Sequence, residues 1–201
     1  VLAPESADTA VFYSISNCQA GLRGVSFGNS LIKQVVEDLQ AEVKTINTFV
    51  TLSPIPGFNR WLRQTITDEP NTLVAAEDID LAIESGELGR LTEHPQWLRR
   101  QAANYLVNQK NRNGMPLDPV ARFHLGNGAM LHDIHAGADL SPNGVRQSCG
   151  LMVNYLYDLK KISQFHEGFA EAHTVFTSKD VKTLAEAAAA NSNGRKPKNG
   201  S

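Results

Sequence analysis

Cysteine is scarce in this chain: Cys18 and Cys149 are the two among 201 residues. They form no C-x-x-C pair and are too few for a disulfide framework, so the expected setting is a reducing compartment, the cytoplasm by default. Long apolar runs are missing as well, and no stretch approaches the length that crosses a bilayer. Charge of one sign is not in excess. Nineteen Lys and Arg against 21 Asp and Glu leave a net charge of −2, which supplies no field for gripping nucleic acid or a membrane surface. No internal repeat is evident.

What is present is ordinary globular material, 41% apolar and 20% charged, long enough for one sizeable domain with a proper core. The chain starts at Val1, and its first strand leads almost at once into a ligand-like turn. One strand is not a sheet. The sequence is therefore expected to be the C-terminal part of a longer protein, with residues 1–190 in its domain and a disordered Asn-, Gly-, Lys- and Pro-rich tail over 191–201.

The segment from Val11 to Leu39 organises the rest. Val11 to Ser16 reads as a strand, followed by a turn over 19–28 punctuated by Gly21, Gly24 and Gly28. Leu31, Ile32, Val35, Val36, Leu39 and Val43 then recur at helical spacing, with Asn29 or Ser30 placed to cap. Glu37 and Asp38 come after the first turn, so no carboxylate opposes an anion at the helix mouth. Arg23 adds a permanent positive charge suited to phosphate. The turn lacks the Gly-Lys-Ser/Thr of a Walker loop and the G-x-G of a dinucleotide fingerprint. Two readings stay open on spacing alone: a phosphate-binding turn, or a strand-to-helix turn needing glycine only for its geometry.

Thr48 to Leu52 reads as a second strand, ending in Ser53-Pro54-Ile55-Pro56-Gly57-Phe58. The prolines stop the ladder and set Ser53 at the mouth of a rigid turn. Strand ends of this kind often carry ligand-binding groups, although Ser-Pro also marks plain turns. Ser53 sits in no G-x-S-x-G elbow, which counts against a hydrolase nucleophile. A short helix follows over 59–64. The acidic stretch from Asp68 to Gly89 reads as solvated helical faces and loops, and 97–107 as a helix. Asp118 caps a further short helix with Pro119 at its first position, and Gly126-Asn127-Gly128 stops it. His124 then lies at the C-terminal end, where the dipole favours a protonated imidazole. Taken alone, a histidine in this place is more often structural than catalytic. Ala129 to His135 alternates as a strand, placing His132 and His135 on opposite faces and discounting them as a metal pair. Leu151 to Lys161 reads as a helix through Leu151, Tyr155 and Leu159, and Val181 to Ala190 as another.

Several separated motifs coincide. They are F-Y-S-I-S at Phe12–Ser16, G-L-R-G-V-S-F-G at Gly21–Gly28, L-S-P-I-P-G-F at Leu52–Phe58, D-P-V-A-R-F-H-L-G-N-G-A at Asp118–Ala129 and S-C-G-L-M-V-N-Y-L-Y at Ser148–Tyr157. In content and order they resemble the C-terminal catalytic region of the malonyl-CoA decarboxylases, from about Ala10 to about Leu159. The resemblance implies an α+β fold, a GNAT (acetyltransferase)-like mixed sheet flanked by helices. It implies conversion of malonyl-CoA to acetyl-CoA and CO2, with Ser53 as proton acceptor and His124 as proton donor. It also implies an acyl-CoA loop made of Arg23, Gly24, Val25, Ser26, Phe27, Gly28 and Asn29. Ser26 departs from the acetyltransferase pattern, which has glycine there. No metal and no separate cofactor is implied, since coenzyme A is part of the substrate. A homo-oligomer formed through a preceding helical domain is implied too, as is a mitochondrial or peroxisomal setting in a eukaryote. The competing reading is an acyl-CoA-dependent N-acyltransferase of the same fold, and a third is a non-catalytic acyl-CoA-binding module.

Overall fold

A computed structural model describes residues 6–13, 28–66 and 73–193. The expected turn over 19–27, the end of the first strand past Tyr13, the start of the acidic stretch and residues 194–201 lie outside the described residues.

The sheet starts with β1 (Thr9–Tyr13) and β2 (Thr48–Pro54), which run parallel with Val11 opposite Val50. Parallel neighbours need a crossover, and α1 (Gly28–Glu42) supplies it. Ile32 and Val36, four apart on α1, are buried, whereas Val35 is exposed. β2 then pairs antiparallel with β4 (Met152–Leu156), and β4 antiparallel with β3 (Met130–His135), giving the order β1-β2-β4-β3. The sheet is mixed and helices pack against it. The fold is α+β, as expected.

Along the chain the helices are α2 (Phe58–Thr65), α3 (Ala76–Ser85), α4 (Pro95–Val107), α5 (Pro119–Gly126), α6 (Pro142–Ser148), α7 (Ile162–Ala172) and α8 (Lys179–Asn193). Helix α8 continues past the expected start of the tail at residue 191. In the acidic stretch, α3 buries Ile79 and Ala82 and turns its carboxylates outward, where Asp80 meets Arg63 at 2.6 Å.

One expectation fails outright. The helix expected from Leu151 to Lys161 is strand β4, the inner partner of both β2 and β3. Leu151, Tyr155 and Leu159 do stand four apart, but a strand covered on both faces reads as a continuous apolar run and shows no clean alternation. Met152, Val153 and Tyr155 are all buried. Within β3 the register shifts between Leu131 and Asp133, so His132 is the extra residue of a bulge. The bulge lets Leu131 and Ile134, three apart, both enter the core.

Two details position the site. Alternation puts Thr51 and Ser53 on one face of β2, opposite Tyr155 and Val153 of β4. Tyr157 extends the same row, its N–H bonded to the Phe49 carbonyl at 2.9 Å. Helix α5 is brought over that face and ended by Gly128, whose φ is +79°. A Cβ at Gly128 would lie 2.3 Å from the Ile162 carbonyl oxygen, so only glycine fits.

Candidate active site

Asp118 starts α5 as its cap, Oδ1 accepting from the Ala121 N–H at 2.7 Å, with Pro119 first in the helix. Arg122 ties down the approach by donating to the carbonyls of Pro116 and Leu117 at 2.8 and 2.7 Å. At the other end, His166 of α7 bonds the Gly126 carbonyl at 2.6 Å. Held at both ends, α5 lays His124 on the sheet with 3% of its surface exposed.

Ser53 and His124, 71 residues apart, meet there. Ser53 Oγ lies 3.1 Å from His124 Nε2, and both side chains are buried. On its other side, Nδ1 is 2.8 Å from the Tyr157 hydroxyl. The imidazole also stacks on Tyr155, with ring centroids 4.4 Å apart and planes 18° from parallel. Ser53 Oγ continues the chain by donating to Thr51 Oγ1 at 3.2 Å.

The direction of this chain follows from supply and demand. Burial holds the Tyr157 phenol well above its ordinary pKa, so it keeps its proton. A buried O–H needs an acceptor, and among the described residues Nδ1 is the one it has. Tyr157 therefore donates to Nδ1, which places the imidazole proton on Nε2. That N–H points at Ser53 Oγ, whose own proton is directed to Thr51.

Burial also pushes the His124 pKa from its ordinary 6.5 down to about 4. The expectation of a protonated imidazole is thus corrected. A helix C-terminus stabilises a cation by up to about 2 kcal/mol, while a fall from 6.5 to about 4 corresponds to about 3 kcal/mol. Desolvation wins, and at neutral pH the ring is an uncharged N–H donor.

Of the other expected site residues, Arg23, Gly24, Val25, Ser26 and Phe27 lie outside the described residues, and Gly28 and Asn29 are the first residues of α1. His132 and His135 do not converge: His132 is exposed in the bulge, and His135 bonds Asn154. Reading the sequence for motifs overlooked Thr51, Tyr155 and Tyr157. Two tyrosines at i and i+2 in a strand share a face, a signal that a helical reading of the segment hides.

Fold and site together define an α+β protein with a buried serine–imidazole pair that holds a neutral N–H group against a strand end. Residues 1–195 match the family model for the malonyl-CoA decarboxylase C-terminal domain, and the chain belongs to that family. It is 39% identical to the mitochondrial malonyl-CoA decarboxylase of Anser anser anser, over 78% of this chain and 36% of that protein. With the Rattus norvegicus protein of the same name it shares 37%, over 87% of this chain and 40% of that one. The chain thus spans well under half the length of these relatives. Among crystal structures, malonyl-CoA decarboxylase from Rhodopseudomonas palustris superposes with a TM-score of 0.75 at 46% identity, covering 91% of this chain and 43% of that one. The Agrobacterium vitis protein does so with a TM-score of 0.78 at 44% identity, covering 92% and 47%. No helix among the described residues is long and apolar enough to cross a membrane.

Proposed function

We propose that the protein carrying this chain decarboxylates malonyl-CoA to acetyl-CoA and CO2, with Ser53 and His124 as the reacting pair. The observation that carries the reading is the 3.1 Å contact between Ser53 Oγ and His124 Nε2 in a buried site of this family's fold. As the bond from the α-carbon to the carboxylate breaks, its electron pair moves into the thioester and forms an enolate, and CO2 departs. The thioester carbonyl is the electron sink, so the proposed reaction draws on no separate cofactor. The enolate then takes the His124 Nε2 proton at the α-carbon, the Tyr157 proton shifts to Nδ1 in the same step, and water restores the proton to Tyr157, so one solvent proton is consumed per turnover. His124 presents an N–H at Nε2, and Ser53 Oγ accepts that N–H at rest and fixes where it points. A positioned proton donor contributes about 10²–10⁴-fold, and one aimed donor to an oxyanion about 3–4 kcal/mol.

The same proposal gives Arg23 and the amides of Val25 to Asn29 to the coenzyme A pyrophosphate. Arg23→Ala is then expected to weaken malonyl-CoA binding more than it slows the bound complex, since the contact is remote from the bond broken. An unchanged affinity with a slowed chemical step contradicts that assignment. Homo-oligomerisation through a preceding domain belongs to the proposal as well. So does a mitochondrial setting in a eukaryotic source, in keeping with the names of the relatives.

The deciding experiment runs the intact protein in heavy water with malonyl-CoA and no amine. Acetyl-CoA carrying one catalytically added deuterium, corrected for spontaneous α-proton exchange, supports decarboxylation. Turnover that requires an amine and yields an amide overturns it in favour of an acyltransferase, and binding without turnover overturns it in favour of a binding module.

A further inference from the structure

Thr51 carries a hydroxyl where strand packing asks for none. It is 1% exposed between Phe12 of β1 and Tyr155 of β4, its partners across the ladder, and valine has the same branched shape. A buried hydroxyl is costly unless it has a hydrogen-bond partner. Among the described residues that partner is Ser53, whose Oγ donates to Thr51 Oγ1 at 3.2 Å. The two ends of this bond are held very differently. Thr51 lies in the interior of β2, paired on both sides, and Asn154 Nδ2 donates to its carbonyl at 2.6 Å. Its branched side chain is stiff about χ1. Ser53 is at the end of the strand, beside Pro54, and its Oγ has three staggered positions open to it with no bulk to choose between them. The contact with His124 Nε2 at 3.1 Å selects one of them, but that contact is the one the proposed proton transfer breaks. The bond to Thr51 is not consumed.

We propose that Thr51 is a positioning residue for the proposed decarboxylation: by accepting the Ser53 proton on a rigidly held oxygen, it fixes where Ser53 Oγ stands and turns a lone pair of that oxygen to His124 Nε2. This rests on Ser53 and His124 being the reacting pair. Each member then has its own anchor outside the contact between them, Tyr157 for the imidazole and Thr51 for the serine. Thr51 acts through Ser53. Its removal frees Ser53 Oγ to swing away and leaves the Nε2–H without a fixed acceptor. An N–H that wanders is aimed at the α-carbon for only part of the time, so the loss falls on kcat. Nothing in this route touches the binding of coenzyme A, and KM is expected to change little.

The test pairs two readouts of Thr51→Val and Thr51→Ser in the intact protein. Valine keeps the shape without the oxygen, and serine returns the oxygen without the stiffness. The first readout is the NMR signal of the His124 Nε2 proton, recorded without substrate and assigned by its loss in His124→Gln. In Thr51→Val that signal is expected to move upfield and to exchange faster with water, and in Thr51→Ser to return most of the way. The second is malonyl-CoA turnover. Thr51→Val is expected to lower kcat by about tenfold or more at little changed KM, since misplacing a group by about 1 Å can cost about 10²-fold. Thr51→Ser is expected to fall between Thr51→Val and the native protein. In a Ser53→Ala background Thr51→Val is expected to add little, because its effect passes through Ser53. An Nε2 proton signal unmoved in Thr51→Val overturns the proposal, as do a Thr51→Ser protein no better than Thr51→Val and a full further loss in the Ser53→Ala background. If the intact protein does not decarboxylate malonyl-CoA, the proposed function fails, and the NMR readout still decides whether Thr51 holds Ser53. Should Thr51→Val fail to fold, Thr51→Cys takes its place with the same outcomes, since sulfur is a weak acceptor.

Discussion

Asp118 and His124 are buried a few residues apart and pull the stability of the fold in opposite directions with pH. Burial lowers His124 from 6.5 to about 4, so between these values the unfolded chain holds the extra proton. The stability that neutral His124 contributes is complete above 6.5 and is lost as pH falls through about 4, about 3 kcal/mol in all. Asp118 rises from 3.8 to about 7, so the folded chain holds the extra proton there. Its contribution is complete below 3.8 and is lost as pH rises through about 7, about 4 kcal/mol in all. Over the shared range the slopes, each about 1.4 kcal/mol per pH unit, nearly cancel. Asp118→Asn keeps the cap and removes one slope, leaving stability that climbs with pH by about 3 kcal/mol between about pH 4 and 6.5. His124→Asn removes the other and leaves stability that falls over the same range. Urea unfolding followed by the fluorescence of Trp61 and Trp97 reads both, and every other titrating group enters as a shared background. A difference between Asp118→Asn and the native protein that does not change with pH refutes the reasoning.

Two other substitutions probe the frame of the site. Gly128→Ala places a Cβ 2.3 Å from the Ile162 carbonyl oxygen at a φ of +79°, and is expected to cost at least about 3 kcal/mol, read as a large drop in Tm. An unchanged Tm means that the turn from α5 into β3 is not as described. Tyr157→Phe strips Nδ1 of its donor, and is expected to cost about 1–3 kcal/mol and to let the ring proton move from Nε2 to Nδ1. The ring-nitrogen NMR shifts of His124 report the change, and an unaltered pattern contradicts the assigned direction of the hydrogen-bond chain.

Local signals in the sequence are legible at α5, where the chain's own backbone chemistry decides the outcome. Asp118-Pro119 opens α5 and Gly126-Asn127-Gly128 closes it, because capping and positive φ are settled within a few residues. Ser53 and His124 were legible as motif residues. Their meeting was not, since it depends on β2 pairing with β4 and on α5 crossing that pair, neither of which leaves a local trace. The inner strand reads as a helix because burial on both faces erases alternation, and that reading hides its tyrosines. The charge of His124 is not legible in the sequence for a related reason. Position in a helix is visible in the sequence, whereas the depth to which the helix is buried is a property of the assembled core. The bulge at His132 belongs to the same class, being fixed by the partner strand.

The most direct measurement is malonyl-CoA turnover by the intact protein with Ser53→Ala, with His124→Asn and with both changes together. Each single change is expected to lower turnover by about 10²-fold or more, because each removes one member of a hydrogen-bonded pair that acts as a unit. The double variant is then expected to be little slower than the worse single variant. Decarboxylation that continues at the native rate with both side chains gone contradicts the assignment, as do losses that simply multiply.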